Sequence, residues 1–519
     1  MGDINTLEVV AFALYFVLVL GVGVYFFLKS KKESGEKSYF LGGRNMNGAV
    51  AALSAGASDM SAWVLMGLPG AIYALGFGQI WISVGLFLGT ALAWIFVAPR
   101  LRTFSIAAGD SITIPQYLTN RFKSSDRALQ IASAIVFIIV YCIYSASSIS
   151  ACGDLFQSVF GLTDDARKWA MVIAAVIIVC YTFLGGFNAV CWTDFFQGLL
   201  MLAALMVVPI VADIAIKAGK GVEPVLPTTY YNLLGTEKFD GHSVLTILSG
   251  LGWGLGYFGM PHILIRYMSI KSKKEMNRSR VIGTCWTFLI LVMATLVGII
   301  GRQYLGDALL TNPSKESMVF INMGTALFPA FLAGILLSAI LAASMSTADS
   351  QLLASSSAFS SDIYRDDILK KKKEKKGETE FTKKDDVKVM WAGRFVVLLV
   401  CAAALVIALL PNTGSIMELV SDAWAAFGSA FGPVILLSLY WKRFNYKGAV
   451  AGVISGFGVD IIWRYALHST SLAELYEIIP GFAIGLIVCV IVTLLTEKPS
   501  KEVEELFDKG VELLSAEEE

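Results

Sequence analysis

Long uncharged apolar segments recur along this chain, and they limit its fold more than any other feature. Four of them are residues 9–28, 169–193, 281–301 and 478–496. Each is about 20 residues long, which is the length a helix needs to cross roughly 30 Å of hydrocarbon. Thirteen such segments can be counted, so the sequence predicts an all-α integral membrane protein with thirteen transmembrane helices.

The composition agrees with a membrane protein and argues against a soluble domain. Hydrophobic residues make up 56% of the 519 positions and charged residues only 16%, far from the average of soluble domains. The first segment lacks a basic leader and a small-residue cleavage site, so we expect it to remain as a helix. The seven cysteines lack metal-ligand spacing. No nucleophile and base arrangement or phosphate-binding loop is found, so an enzyme is not expected. Nucleic acid is not expected as a partner either.

Basic residues divide unequally between alternate loops. Of the 41 Lys and Arg residues, 33 fall on the side that holds residues 29–45 and 8 on the other. Because basic residues resist translocation, the side with 33 is predicted to face the cytoplasm. The chain is then a multi-pass protein of the plasma (inner) membrane, with the amino terminus outside and the carboxy terminus inside. The lysine-rich stretch 370–386 is interpreted as a solvated inner loop, with a lipid-binding patch as the alternative.

Two of the predicted spans are interrupted by residues that let a helix unwind. Asp59 is the one formal charge between Asn45 and Pro99, and it stands among small residues: Ser54, Gly56, Ser58 and Ser61. A carboxylate at membrane depth is costly and usually marks a site. The second interruption is SGLGWGLGYFG at 249–259, before Pro261. Close helix packing is an alternative explanation of that glycine run.

The positions of these interruptions predict an internal symmetry. Once the first helix is set aside, they fall in the first and the sixth of the twelve remaining spans. An inverted repeat of five plus five helices, with a discontinuous helix at the start of each repeat, gives that spacing. Such a repeat places a binding site near the membrane midplane, where the two broken helices meet.

A hydroxyl-rich stretch at 341–357 is the third unusual feature. Ala343, Ser346, Thr347 and Ser350 share one helical face, since they stand at i, i+3, i+4 and i+7. Such hydroxyls can simply bond back to their own helix. They can also join a broken helix in supplying the several oxygens that a hard cation requires.

The motifs that carry these features have a familiar pattern. They are YFLGGRNM (39–46), SAGASDMSAWVLMGLPG (54–70), YTFLGGFNAVCWTD (181–194), GWGLGYFGMPHILIRYM (252–268), GILLSAILAASMSTADSQLL (334–353) and YEIIPGF (476–482). With them the chain resembles the sodium/solute symporter family, most closely its sodium/proline branch. We accordingly expect this division: an extra amino-terminal helix and inner loop at 1–45, repeats at 46–217 and 218–441, two further helices at 442–497, and a cytoplasmic tail, amphipathic and helical, at 498–519.

The resemblance also implies site residues. The sodium ligands would be the carbonyls of Ala57, Met60 and Ala343 and the hydroxyls of Ser346 and Thr347, with Asp59 linked to the ion without direct ligation. The substrate would contact Ser61, Trp63, Tyr144, Trp253, Tyr257 and Pro261. A second sodium site at Asp194, Asp349 and Ser350 is left open. Arg44 would belong to the inner gate, and an interfacial snorkelling arginine is the alternative.

The function that this resemblance implies is sodium-coupled import of L-proline by alternating access across a lipid bilayer. Na⁺ is the coupling ion, and no cofactor is expected. Symport of pantothenate, a sugar or sialic acid is the nearest alternative, followed by a transceptor or a sodium channel on the same fold. Two residues stand apart: Ala62 replaces a glycine common in the branch, and Asp460 interrupts a span without an assigned role.

Overall fold

The computed structural model describes residues 5–30, 35–124, 126–222, 224–311, 315–378, 381–411, 414–467 and 469–517. These ranges are helical and contain no strand, apart from one β-bridge between Met46 and Ile270. The first ten α-helices are α1 Thr6–Ser30, α2 Glu36–Leu41, α3 Gly48–Asp59, α4 Leu68–Leu75, α5 Ile80–Leu92, α6 Ala98–Ala107, α7 Ile114–Arg121, α8 Ala128–Phe160, α9 Asp164–Ala215 and α10 Gly241–Gly252. The next ten are α11 Pro261–Ser269, α12 Lys273–Leu305, α13 Val319–Leu327, α14 Ala330–Ser357, α15 Lys370–Glu374, α16 Lys383–Leu409, α17 Ile416–Tyr440, α18 Tyr446–Ile461, α19 Ile478–Leu495 and α20 Lys501–Ala516.

The all-α membrane class is confirmed, whereas the count of thirteen spans is not. In the described ranges ten helices are long and apolar enough to cross a membrane, or twelve if each of two bent pairs forms one span. The predicted span 169–193 falls within α9, a helix of 52 residues that is broken at Gly186, where φ is 61°. Helices are expected here because the hydrocarbon cannot form hydrogen bonds with backbone N–H and C=O groups, which a helix pairs internally.

Apolar side chains on the outer helices point away from the protein. On α1, for example, Val17 and Leu18 are 67% and 69% exposed, while Phe12 and Tyr15 are buried against the bundle. In water such an apolar surface would be unfavourable, and a lipid bilayer removes that penalty. The inner face of α1 therefore packs on the protein and its outer face is suited to lipid.

Both predicted helix breaks are present. α3 ends at Asp59, and the chain resumes as a π-helical stretch, Trp63–Gly67, that leads into α4 with a bend of 63°. α10 continues as a 3₁₀ stretch, Trp253–Phe258, and then bends by 47° into α11. Proline stands at the first position of α11. An N–H at that position has no acceptor within the helix, so its absence in proline costs no helical hydrogen bond.

The glycine run at 249–259 allows both helix unwinding and close helix packing, the two alternatives that the sequence left open. The helix changes to 3₁₀ geometry at Trp253, so the run does unwind. It also packs tightly on α5, because a Cβ added at Gly254 would lie 2.4 Å from the Gly85 carbonyl oxygen and one at Gly89 would lie 2.3 Å from the Gly254 carbonyl oxygen. Unwinding and close packing therefore occur in the same segment.

The carboxy-terminal tail forms the expected amphipathic helix. Val503, Leu506 and Phe507 of α20 are buried, and the Phe507 ring lies 5.2 Å from the Phe104 ring of α6. The lysine-rich stretch is more ordered than a solvated loop, since α15 lies within it and Lys373 contacts Asp385 at 2.9 Å. Residues 379 and 380 of that stretch lie outside the described ranges.

Candidate functional site

The hydroxyl face of α14 lies against the broken end of α3. The Ser346 hydroxyl donates to the Ala57 carbonyl oxygen at 2.8 Å and contacts the Ala343 carbonyl oxygen at 3.1 Å. The Thr347 hydroxyl lies 3.5 Å from the same Ala57 oxygen. All four residues are fully buried. The structure thus brings together four of the five predicted sodium ligands, and these hydroxyls reach across to another element in addition to their own helix.

The fifth predicted ligand, Met60, stands at the break itself. Its amide still donates to the Gly56 carbonyl at 2.8 Å, as in a helix, but its ψ of 70° takes the next peptide out of helical geometry. Its carbonyl therefore leaves the hydrogen-bond series of α3, as a ligand at a helix break must. No hydrogen bond joins that carbonyl to Ser346 or Thr347 among the described contacts.

The chemistry of these oxygens suits a hard cation. Within the described ranges no group of three or more His, Cys, Asp or Glu side chains could hold a metal ion. Carbonyl and hydroxyl oxygens are the donors left, and they favour hard cations over transition metals. To bind a cation the Ser346 hydroxyl must turn its hydrogen away from Ala57 and offer a lone pair, which a rotating hydroxyl can do.

Asp59 connects the two broken helices. The Tyr257 hydroxyl, in the 3₁₀ stretch of the second break, donates to one oxygen of the Asp59 carboxylate. The other carboxylate oxygen, Oδ1, accepts no hydrogen bond from the described residues. The Asp59 carbonyl accepts from the Trp63 indole at 3.2 Å and from the Tyr144 hydroxyl at 3.3 Å. Asp59, Tyr144, Trp63 and Tyr257 therefore form one buried cluster.

Aromatic rings pack on one another between the two breaks. Trp253 stands between Trp63, whose ring centroid is 5.9 Å away, and Tyr476, which stacks on it at 5.1 Å. The Tyr257 ring meets the edge of Trp424 at 5.1 Å, and the Trp424 indole donates to the Trp253 carbonyl at 2.7 Å. Two members of this cluster, Trp424 and Tyr476, were not predicted, because aromatic residues in apolar helices usually serve packing.

The remaining two predicted substrate residues are buried next to the breaks. The Ser61 amide donates to the Asp59 carbonyl at 2.9 Å, and Pro261 begins α11. Their place at the breaks is as expected, while a contact with substrate remains a prediction.

The residues of the open second sodium site lie together, but with a partner that the sequence did not indicate. Arg266 of α11 approaches Asp194 Oδ2 at 3.2 Å and also donates to the Ser350 hydroxyl. Ser350 in turn donates to Asp349 at 3.2 Å. In the division of basic residues Arg266 belongs to the predicted inner loop 266–280, whereas its side chain is 2% exposed.

Arg44 is a bonded residue and does not snorkel. Its guanidinium donates to Asp110 at 2.8 Å, to the Ser105 hydroxyl at 3.0 Å and to the carbonyls of Met268 and Ser111 at 2.6 and 2.7 Å. Burial raises the pKa of Asp110, but hydrogen bonds from Lys37 and Arg44 outweigh this, so the pKa lies below its ordinary value. The carboxylate is therefore ionised at neutral pH, and the pair is lost only as the pH falls through that lowered pKa.

We expect Arg44→Ala to open this end of the protein, because four hydrogen bonds between separate segments disappear at once. A cysteine introduced at Ala108, which is buried beside these contacts, should then react several times faster with a membrane-impermeant thiol reagent. Arg100→Ala is the matched control, since Arg100 lies on α6, the helix of Ser105, but contacts Leu439 and Tyr440. Equal reactivity in the Arg44 and Arg100 variants would contradict a gating role.

A cavity of about 1140 Å³ opens at the opposite end of the same span. Arg44 precedes α3 and Leu75 ends α4, so the two mark the two ends of one bent pair. The cavity reaches from Leu75 down to Gly67, four residues beyond Trp63, and Arg167, Glu316 and Glu418 are among its charged lining. The cavity thus opens beside the half of the span that follows the first break, and the Arg44 contacts lie at the other end.

Comparisons with known proteins find relatives along nearly the whole chain. The model of the sodium:solute symporter family matches residues 39–456. The chain is 42% identical to the high-affinity proline transporter PutP of Bacillus subtilis (strain 168), over 96% of this chain and 100% of that one. It is 40% identical to the sodium/proline symporter of Staphylococcus aureus (strain NCTC 8325 / PS 47), over 97% and 95%.

Solved structures show the same fold at low identity. A Na⁺-coupled sialic acid symporter in a substrate-bound outward-open state matches with a TM-score of 0.73 and 19% identity, over 96% of this chain and 100% of that one. MHP1, a transporter of the nucleobase-cation-symport-1 family in a closed conformation, matches with a TM-score of 0.52 and 13% identity, over 89% and 96%. At such identities the similarity concerns the fold alone.

Proposed function

Because the chain belongs to the sodium:solute symporter family, we propose that it imports L-proline together with Na⁺ by alternating access. The observation that most supports coupling is the contact of Ser346 and Thr347 with the Ala57 carbonyl, which joins α14 to the break in α3. The identity of the solute is supported by relatives named as proline transporters. A transporter of this kind needs no cofactor and catalyses no covalent step.

Coupling requires that Na⁺ bind one conformation better than another, since a ligand shifts an equilibrium only through unequal affinity. An ion held by Ala57, Met60 and Ala343 carbonyls and by the hydroxyls of Ser346 and Thr347 would bridge two elements. The bridge holds the first break in the geometry that the substrate needs. When the ion leaves, that geometry is no longer held, and the substrate is released with it.

The aromatic cluster is suited to a compact amino acid with an apolar ring. Trp63, Trp253 and Tyr257 offer flat apolar walls on which a pyrrolidine ring can pack. The amide groups that follow the break at Ser61 begin a helical stretch, and such an amino end favours an anion like the substrate carboxylate. Tyr144 and Pro261 complete the proposed pocket.

Trp253→Ala is expected to weaken proline binding at least tenfold, because the central ring of the aromatic stack is removed. A tenfold loss corresponds to about 1.4 kcal/mol, and aromatic contacts of this kind contribute about 0.5–1.5 kcal/mol beyond their buried area. The half-saturating sodium concentration should change less than the half-saturating proline concentration. Initial uptake rates, measured at varied sodium and then at varied proline concentration, give the two half-saturating concentrations separately.

Trp192→Ala serves as its control, since that indole stacks on Phe26 at 5.8 Å on α1, away from the breaks. If both tryptophan variants showed the same half-saturating proline concentration, Trp253 would not belong to the pocket.

We place the amino terminus outside and the carboxy terminus in the cytoplasm of the plasma membrane, on the strength of the 33 to 8 division of basic residues. In that orientation the large cavity faces the outside and Arg44 closes the cytoplasmic end. The two repeats would then occupy 46–217 and 218–441. A substrate would enter through the cavity, reach the aromatic cluster from Gly67, and leave after the Arg44 contacts separate.

Counterflow in proteoliposomes tests the proposal. Vesicles loaded with unlabelled proline should accumulate labelled proline in the presence of external Na⁺ and not with choline in its place. Unlabelled L-proline should compete, whereas pantothenate, glucose and sialic acid should not. Competition by one of those three solutes in place of proline would assign a different substrate. Sodium current without saturable solute flux would indicate a channel.

A further inference from the structure

A small cavity lies at the ends of three membrane-length helical segments. It measures about 150 Å³, and its lining comes from α6 and the π-helical stretch before it, and from α12, α17 and α20. α12 begins at Lys273 and α17 ends at Tyr440, so the cavity lies where these helices would leave the hydrocarbon. On α6, Ser105 bonds to Arg44, which places the cavity at the end of the protein that we propose to be cytoplasmic.

Positive charge dominates the lining of this cavity. Its four basic residues are Arg100, Arg102, Lys273 and Arg280. The one acidic residue of the lining is Glu517. Among the described residues, Arg102 is the one member of the four with an acidic partner, and that partner is Glu517. The cavity therefore has an excess of three positive charges, which favours an anion inside it.

Two of these four cations have their donors engaged elsewhere. The Arg100 guanidinium donates to a backbone carbonyl of α17 at 2.8 Å and lies over the Tyr440 ring at 4.2 Å. Besides its acidic partner, Arg102 donates to two backbone carbonyls after α11 at 2.6 and 2.9 Å. Arg280 donates to the neutral Asn277 at 3.2 Å, and the Lys273 ammonium has no partner among the described contacts. Lys273 and Arg280 are therefore the cations best able to take an anionic ligand.

The other side of the cavity is apolar and exposed. Ile95 and Phe96 line it and are 45% and 50% exposed. Tyr440 is 45% exposed, and its hydroxyl donates to the Phe96 carbonyl at 2.8 Å. Tyrosine is enriched at the boundary between hydrocarbon and water, where its ring and its hydroxyl each find a suitable environment. The cavity thus joins a cationic pocket to a surface suited to acyl chains.

We propose that this cavity binds the phosphate of one anionic phospholipid, with Lys273 and Arg280 as partners of the phosphate and Ile95 and Phe96 beneath the acyl chains. Lys273 is the first residue of α12, where the helix dipole also favours an anion. Basic pockets at the cytoplasmic ends of membrane helices suit such headgroups, because that leaflet holds anionic lipids. Free phosphate offers the same charge but would leave the exposed apolar side without a partner.

Native mass spectrometry of the purified full chain tests the site. The protein in detergent micelles receives equal amounts of phosphatidylglycerol and phosphatidylcholine, which share a phosphate and differ in net charge. We expect one phosphatidylglycerol to be retained at least about tenfold more often than phosphatidylcholine, which corresponds to about 1.4 kcal/mol. K273Q and R280Q should each reduce this preference, and K273Q/R280Q should abolish it.

K274Q/R278Q is the matched control for that double variant. It removes one lysine and one arginine from the same end of α12, and both residues are exposed and lie outside the lining of the cavity. We expect it to keep the preference of the unmodified protein. Inorganic phosphate, added at the concentration of the lipid, should not displace phosphatidylglycerol.

Each result either supports the site or overturns it. Equal retention of the two lipids by the unmodified protein would overturn the inference, whatever the variants do. A preference that survives in K273Q/R280Q, or that the control loses to the same extent, would show that the lipid responds to other charges of the surface. Displacement by an equal concentration of inorganic phosphate would assign the cavity to a soluble anion. A preference lost in K273Q/R280Q alone supports the lipid site.

Discussion

Sodium-driven proline uptake should almost disappear at ordinary sodium concentrations when Ser346 and Thr347 are both replaced by alanine. Their hydroxyls are the side-chain oxygens that contact the Ala57 carbonyl oxygen. Alanine has no oxygen that could replace them as a ligand. An interaction with a charged group is worth about 1.5–3 kcal/mol. Each lost hydroxyl should therefore raise the half-saturating sodium concentration about ten- to a hundredfold. Initial uptake rates against external sodium measure this.

Ser355→Ala is the matched control for that double substitution. Ser355 is a buried serine of the same helix, but among the described residues its hydroxyl bonds only to the Leu352 carbonyl of its own helix, at 3.0 Å. We expect its sodium dependence to match that of the unmodified protein. If the double variant and the control required the same sodium concentration, the ion would bind elsewhere and the proposed site would be wrong.

The second large effect is expected for Asp59→Asn, which removes a formal charge while keeping the shape. Asparagine can still accept the hydrogen bond of Tyr257, so the link between the two breaks survives. What disappears is the attraction of a buried carboxylate for a nearby cation, which is strong where water is excluded. The half-saturating sodium concentration should rise by at least tenfold, or about 1.4 kcal/mol.

Tyr257→Phe separates the charge of Asp59 from its hydrogen bond. It removes the phenolic donor and leaves the carboxylate ionisable, so it should affect proline affinity more than sodium affinity. The role assigned to the charge would be refuted by sodium-driven uptake at unchanged sodium affinity in the Asp59→Asn variant.

Local patterns in the sequence were enough to predict the class of fold and two elements that meet at the candidate sodium site. Uncharged segments of membrane length predicted the helices, and Asp59 among small residues predicted the first break. The spacing of Ala343, Ser346 and Thr347 on one face predicted the side of α14 that meets it. The helices, the first break and the hydroxyl face each depend on residues that are close in the chain. A pattern within one segment is therefore enough to predict each of them.

Other features depend on distant segments, and these could not be predicted. Arg266 looks like a loop residue in the sequence, and only the approach of Asp194, 72 positions earlier, makes it a buried ion pair. Trp424 and Tyr476 join the aromatic cluster from α17 and from the segment before α19. For Arg44 the sequence allowed both a gate and a snorkelling side chain; its partners on α6 and α11 speak against snorkelling, and the gate stays a prediction.

The central claim is that an ion bridges α3 and α14 and thereby prepares the substrate pocket. The most direct test measures the binding of Na⁺ to the purified protein with and without proline, and the binding of proline with and without Na⁺. Linkage requires that Na⁺ lower the dissociation constant of proline by the same factor by which proline lowers that of Na⁺. We predict two equal factors of at least about ten, both lost in the Ser346→Ala/Thr347→Ala variant. A proline affinity that is the same in sodium and in choline would contradict the account.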